Sequence, residues 1–493
     1  MKENNISRYQ ALFVAACIST IIVTAGTGSA SQEARKDREG IQGMSLNDCL
    51  KYALEHSPAL DAEHAGVEAM EAKRLQAVWS WIPRISISSI LAGPTSKAEL
   101  AYDPVTRSRD PSKTGSVALD QASGDGELNY GEEVGVMWRF GIQAVMPIYT
   151  FGKISSLKKA AEKGLEAAID SEAMKKQKLK RDIRKTFFAY QAAREILAVL
   201  KDGSRKLDQA EQKVSDSLDE DEDTYSETDL FKIRVYGAEV KARVAETKKM
   251  VAMAEEGMKF LLGWPGRQQL VLEHEDLSEE KEVLQDLDTL LGLARKENPI
   301  AKAVTCGLAA KTQIVSNRTA NFFPDLYLAG GFNYSVDTAA QDLHNPFLYD
   351  NRNFKSAGAF IGLKWNIDFP MLIGRLKEAQ AELKKTEAAR KIALEGLSLK
   401  VKEGYLETKR AAAALVAYKK ARKAGRSWLV SATLNWGVGT LEADDFIDAI
   451  KAYSVAEIAY TKALLEYHDS LADLLFRVGV EKGIRADNRG KQK

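Results

Sequence analysis

From Val134 to Ile148 the chain reads Val-Gly-Val-Met-Trp-Arg-Phe-Gly-Ile-Gln-Ala-Val-Met-Pro-Ile, and every second residue is apolar. Val134, Val136, Trp138, Phe140, Ile142, Ala144, Met146 and Ile148 share one side, whereas Gly135, Arg139, Gly141 and Gln143 share the other. Successive side chains of a strand point to opposite faces, so this is a strand with one apolar and one polar face. The pattern returns later, with Ala357, Ala359, Ile361, Leu363, Trp365, Ile367 and Phe369 against Gly358, Gly362, Lys364, Asn366 and Asp368. Weaker alternation over 84–91 (Ile85, Ile87 and Leu91 on one face) and over 325–334 supplies each with a partner. The lengths match the roughly 9–11 residues that a tilted membrane strand needs. On that reading Arg139, Gln143, Lys364, Asn366 and Asp368 face a wet lumen. Four strands cannot close a barrel, and an open sheet edge is not tolerated in lipid, so several chains must share one barrel. Two soluble hairpins, each packed on a core, are the other reading of the same alternation.

The chain also contains itself twice. The run Ser45–Pro58 answers Leu287–Pro299, and Pro83 answers Pro324; both proline pairs are 241 residues apart. Met146-Pro147 with Gly152-Lys153 answers Phe369-Pro370 with Gly374-Arg375, the prolines at an offset of 223. Each copy reads as helix, proline, strand, loop, strand, proline and a very long helical region. The long regions carry apolar residues at helical spacing, first Ile154, Leu157, Ala161 and Leu165, then Leu179, Ile183 and Phe187. A heptad runs through Ile233, Gly237, Val240, Val244, Thr247, Val251, Ala254 and Met258, and its counterpart through Phe446, Ala449, Tyr453, Ala456, Tyr460, Ala463 and Tyr467. Sustained heptads imply coiled-coil packing. Ile447, Ile450, Leu464, Leu465 and Leu471 add a second apolar face to the last helix, which therefore needs two neighbours, as in a ring or tube. The stretch from Gly152 to Ser217 spans about 100 Å if helical. The loops of 93–133 and 337–356 are polar and turn-rich, the asymmetry expected on one side of a membrane barrel.

The whole chain is 493 residues, with 70 basic against 69 acidic residues and a mean hydropathy of −0.29. That balance leaves no basic excess for a nucleic-acid partner, and taken alone it resembles an ordinary soluble protein. The N-terminus argues otherwise. Lys2 and Arg8 precede an apolar stretch from Ala11 to Ala25 that ends in Gly28-Ser29-Ala30, the form of a secretory signal cleaved after Ala30. An uncleaved anchor, or a lipoprotein site at Cys17, remains an alternative for this stretch. Cys49 and Cys306 are the cysteines left after cleavage, and nothing in their spacing demands or forbids a bond. The expected organisation is a signal over 1–30, a first repeat over 31–275, a second over 276–479 and a polar tail over 480–493.

The ordered marks over both repeats resemble the TolC-like outer membrane efflux protein family. They are Leu46, Ala53-Leu54, Ser57-Pro58 and Pro83 with their echo Leu293-Ala294, Asn298-Pro299 and Pro324. The strand-to-helix marks Pro147–Gly152 and Pro370–Arg375 and the run Gly437–Ala449 complete the set. The resemblance implies a mainly α chain with a membrane β-barrel: a homotrimer sharing twelve strands, continued by a periplasmic α-helical barrel. It implies a passive exit duct in the outer membrane, extending into the periplasm. The duct would serve an efflux or type I secretion system through a periplasmic adaptor and an inner-membrane pump. It further implies a closure at the periplasmic tip, lined by Asp445 and Asp448, by Asp229 from the first repeat, and with Trp436 at an aromatic gate position. Leu441 stands where a basic partner is expected, so a Tyr–Arg latch cannot form there. Carboxylates converging from several chains attract cations, although Asp is also simply favoured at a helix N-terminus. A soluble periplasmic coiled-coil scaffold with small hairpin caps is the competing reading of the whole chain.

Site chemistry of other kinds is not legible. His56, His64, His274, His344 and His468 have no metal-ligand spacing. The acidic run Asp219–Asp223 mimics a calcium loop but puts Thr224 at the required glycine and Leu230 at the required Glu. No phosphate loop or nucleophile elbow occurs. No cofactor and no enzymatic activity are expected.

Overall fold

The computed structural model describes residues 43–96, 134–220, 225–266, 268–273, 277–279, 284–340, 352–438 and 440–480. The signal stretch, Cys17, most of the two polar loops, Asp221–Asp223, His274, His344 and the tail beyond 480 lie outside them.

Two copies of one unit follow each other. The first is α1 (Leu46–His56), α2 (Pro58–Val78), β1 (Arg84–Ser96), β2 (Val134–Tyr149), α3 (Lys153–Asp219) and α4 (Glu227–Leu262). The second is α5 (Leu287–Glu297), α6 (Pro299–Ala320), β3 (Asp325–Asp337), β4 (Phe354–Lys364), α7 (Phe369–Gly437) and α8 (Ala443–Val478). The helix lengths agree between copies: 11 and 11, 21 and 22, 67 and 69, 36 and 36 residues. Ser57 and Asn298 separate the two short helices because the following proline suits the first turn of a helix but not its interior.

The strands form one antiparallel sheet in the order β1-β2-β3-β4. Its register places Ile87, Ile142, Phe332 and Ala357 in one cross-strand row, and Leu328, Met146 and Ile361 in another on the same face. The opposite face carries Ser86, Gln143 and Gly331 in one row, Arg139 with Ser335 in a second, and Asp325 with Lys364 in a third. The apolar face is bare in the single chain: Ile85, Ile87, Leu91, Ile361 and Leu363 are each 62–74% exposed. Among the described residues β1 and β4 have no strand on their outer side.

One strand is shorter than its sequence pattern. β4 ends at Lys364, so Asn366 and Asp368 are not strand positions. The connection is recruited by its neighbours instead: the Trp365 indole N–H donates to the Phe322 carbonyl at 3.1 Å, and Asp368 caps α7 by accepting from the Met371 amide at 3.4 Å. The remaining strands are longer than the alternation showed, 13, 16 and 13 residues.

α3 and α7 run the full length from sheet to tip, about 100 Å each. α4 and α8 return only about half of that distance, and α1–α2 and α5–α6 fill the other half. The junctions are alike in both copies. Gly263 ends α4 at φ +66° against Pro58 and the His56 carbonyl, and Gly479 ends α8 at φ +87° against Asn298. Asn298 is buried and bonds both ways, its amide donating to the Arg477 carbonyl at 2.9 Å and its oxygen accepting from Ile300 at 2.8 Å. α8 packs on both α3 and α7, the two neighbours its two apolar faces require. Cys49 is buried among the α1, α3 and α4 side chains and Cys306 lies on α6; both are free thiols.

In the α3–α8 seam Asp473 pairs with Lys185 at 3.0 Å and with Arg181 at 3.6 Å. Asp469, one turn earlier, has one carboxylate oxygen enclosed and without a hydrogen bond. Burial pushes its pKa up to about 6, with Asp473 and Glu466 pushing the same way and Lys185 opposing.

Two outcomes follow from these junctions. Alanine at Gly263 or Gly479 places a Cβ within 2.6 or 2.7 Å of the neighbouring turn, in a conformation costing about 1–2 kcal/mol for an L residue. Each variant should melt several degrees below the parent, the loss showing in thermal denaturation followed by circular dichroism. For Asp469 the folded pKa lies above the unfolded one, so protonation stabilises the fold: the contribution is complete below about pH 4 and gone above about pH 6. Asp469→Asn should therefore raise the melting temperature at pH 8 and leave it close to that of the parent at pH 3.

Candidate functional site: the helical tip and the two-faced sheet

At the end of the bundle opposite the sheet, α3 gives way to α4 and α7 to α8. A single apolar core fills the space between the two hairpins. It joins Leu207 and Val214 of α3, Leu230 and Ile233 of α4, Leu429 and Trp436 of α7, and Phe446 and Ile450 of α8. Trp436 is its largest member. Its ring stacks on Phe446, centroids 4.8 Å apart and 4° from parallel, and meets Tyr225 of the first hairpin at 4.9 Å. Lys213 of α3 donates to the Trp436 carbonyl at 2.7 Å, with its ammonium 5.1 Å from the indole centroid. A cation on the last carbonyls of a helix also offsets the helix dipole.

This corrects one expectation. Trp436 is 6% exposed and lines no opening; it is the pin between the hairpins of one chain. An indole sandwiched by Phe446 and Tyr225 gains far more from burial than from an aqueous rim.

The three aspartates divide in an instructive way. Asp229 belongs to a capping box: its carboxylate accepts from the Ser226 amide at 3.0 Å and hydroxyl at 2.7 Å, and its own amide donates back to the Ser226 oxygen at 3.3 Å. Asp445 is its repeat counterpart at an offset of 216, but the cap position there is Glu442, which makes no side-chain cap bond. Asp445 is thus released from capping. Asp445 and Asp448 are both exposed, share a face of α8 at i, i+3 spacing and form no ion pair with a described residue. Asp444 turns aside to Lys232 of α4 at 2.6 Å, tying the hairpins across the tip. Asp444, with lesser help from Asp229 and Glu442, raises the Lys232 pKa above its usual value.

Lys213, Lys232 and Asp444 were not singled out by their sequence pattern. Lysines and aspartates on a solvated helix face look alike until the partner helix is placed. Of the proposed lumen positions, Arg139, Gln143 and Lys364 share the polar face of the sheet, and Arg139 and Gln143 are exposed on it. Among the described residues there is no group of three or more potential metal ligands, and no helix is long and apolar enough to cross a membrane.

The described architecture is thus a four-stranded antiparallel sheet with one apolar and one polar face, continued by long paired helices. Residues 49–215 match the family described as "Outer membrane efflux protein". Among solved structures, the chain is similar to the outer-membrane channel OprN, with 16% identity, 88% of this chain and 89% of that one covered, and a TM-score of 0.69. It is equally similar to the open-state MtrE channel of Neisseria gonorrhoeae, at 17% identity, 88% and 89% coverage and a TM-score of 0.69. The CmeC channel of Campylobacter jejuni follows at 14% identity, 88% and 85% coverage and a TM-score of 0.66. A search of curated protein sequences finds no match. The TolC-like resemblance and the fold class it implied, a strand share of a barrel continued by long helices, both hold.

If Trp436 pins the hairpins, Trp436→Ala should cost the tip about 3–5 kcal/mol of local stability. Amide hydrogen exchange should then accelerate over 207–236 and 429–450 while β2 keeps its protection. Equal loosening of β2 would show that the residue acts on the whole fold instead.

Proposed function

We propose that the protein is a passive exit duct of the outer membrane, with its helices in the periplasm, serving a tripartite efflux or type I secretion system. The observation that carries this reading is the sheet. Its lipid-grade face is bare, its other face is polar and glycine-rich, and no described helix packs across either. A soluble scaffold would have to cover that face. In lipid the open edges of β1 and β4 must pair, and β4 of one chain on β1 of the next closes a barrel at three chains. Twelve strands leave an aqueous lumen lined by Arg139, Gln143 and Lys364. The same copy-to-copy pairing brings α4 of one chain beside α7 of another. Phe231, Val235, Leu434 and Val438, 57–74% exposed in the single chain, supply apolar contact there.

The duct narrows at the tip, where Asp445 and Asp448 of three chains converge and favour cations. Asp229 serves the helix cap and contributes field only. A periplasmic adaptor and an inner-membrane pump supply energy and choose the cargo, because a wide aqueous duct selects little.

Native mass spectrometry of the detergent-solubilised chain should give three copies, and a monomer would overturn the shared barrel. In planar bilayers the channel should prefer cations, and Asp445→Ala/Asp448→Ala should raise conductance and weaken that preference. Unchanged conductance and selectivity would remove the two aspartates from the constriction while leaving the duct intact.

A further inference from the structure

The internal repeat allows one half of the chain to be read against the other, and besides the caps of α4 and α8 the halves disagree at a second place. A half-open groove of about 580 Å³ lies between α5, α6 and α7. It is lined by three cations, Arg295, Arg390 and Lys391, by one carboxylate, Glu395, and by the apolar Ala301 and Leu394. The Arg390 Nε is buried and has no hydrogen-bond partner among the described residues. A buried guanidinium N–H left unmade is costly, because it has given up water and gained nothing.

The first repeat shows what fills the corresponding place. Leu60 and Ala301 occupy equivalent core positions at an offset of 241, and Leu179 and Leu397 do so at 218. By these offsets Thr305, which also lines the groove, answers His64, and Arg390 answers Glu172. In the first repeat Glu172 is paired with Lys176 at 2.9 Å and His64 at 3.6 Å, and its side chain is only 13% exposed. Lys176 holds the Glu172 carboxyl below its usual pKa, with His64 contributing. There the chain supplies its own carboxylate. In the second repeat the same position is an arginine, beside Lys391 and Arg295.

We infer that this groove is an anion site, taking a carboxylate- or phosphate-bearing ligand where the first repeat holds Glu172. Arg390 and Arg295 present planar forks suited to either oxyanion, and Lys391 adds a point charge. Ala301 and Leu394 accommodate a short aliphatic carrier. A lipid headgroup is excluded as the source by distance: from Thr305 to the end of α6 is more than about 20 Å of helix before β3 begins, beyond the headgroup layer. The ligand therefore comes from the aqueous compartment around the helices.

Calorimetric titration of the full-length protein in detergent with citrate and, separately, inorganic pyrophosphate tests this. At least one should bind saturably, and which one binds tells a carboxylate from a phosphate ligand. Arg390→Gln should weaken that binding at least about tenfold, the scale of one lost charged hydrogen bond. Thr305→His/Arg390→Glu, which copies the first repeat, should abolish it, and Glu395→Gln should tighten it a few-fold. Glu395→Gln removes a charge from the groove rim and keeps the test informative even where an Arg390 variant fails to fold. Absence of saturable binding with both anions, or affinity indifferent to Arg390→Gln and Glu395→Gln, would overturn the assignment. Single-channel conductance should be the same in Arg390→Gln as in the parent, which separates this site from the duct.

Discussion

Backbone hydrogen bonding at the two edges of a four-stranded sheet governs most of what this chain does. The strands alternate so completely that one face is acceptable to lipid and the other to water, yet among the described residues β1 and β4 each leave a row of amides and carbonyls unpaired. Water satisfies such a row; hydrocarbon does not, at several kcal/mol for each group. The sheet is therefore stable in a membrane only when another copy completes it. In the proposed duct, oligomerisation is thus a condition of insertion rather than an embellishment, and the apolar residues left bare on α4 and α7 belong to the same incompleteness of the single chain.

The helices answer a different constraint, that of reach. A helix of nearly 70 residues cannot be stabilised by propensity alone and needs an apolar partner along its whole length. α4 and α8 cover only the half towards the tip. The short helices α1–α2 and α5–α6 cover the remainder, and the handover falls at Gly263 on Pro58 and at Gly479 on Asn298. Glycine is needed there because the chain must turn through a left-handed conformation while another backbone lies within van der Waals range. The bundle is consequently two stacked packing problems, with separate cores at the waist and at the tip.

Those features differ in how visible they are to the eye reading residues in order. Strand alternation, heptads and the repeat are periodic, so Ile142, Ile233 and the Pro58/Pro299 pair announce their roles locally. The 67-residue helix and the two neighbours of α8 followed from such spacing. What escaped is decided by single contacts across the fold. The pattern through Trp365 and Ile367 continues the alternation of β4, but the Trp365 bond to Phe322 and the Asp368 cap end the strand at Lys364. Trp436 reads as a rim aromatic because nothing nearby in sequence reveals Phe446 and Tyr225 around it. Bulk composition misled for a related reason: the four strands hold only some fifty of the 493 residues, and the long, charged helices dominate any average.

Divergence between the two copies is where the chain departs from what folding alone asks of it. Both halves meet the same packing demands, so a residue needed only for the fold should have an equivalent in each, as Cys49 and Leu290 or Ala53 and Ala294 do. Asp229 and Asp445 stand at equivalent positions, but Ser226 becomes Glu442, and a capping carboxylate in one half becomes a free one in the other. Glu172 and Arg390 differ in the opposite sense, an internal ion pair giving way to an unmet guanidinium. Capping and ion pairing each stabilise a helical protein by about a kcal/mol. Giving them up in only one half costs stability without improving the fold, which is the physical ground for looking outside the chain in both cases: to the proposed aperture shared with other copies in one, to the inferred anion in the other.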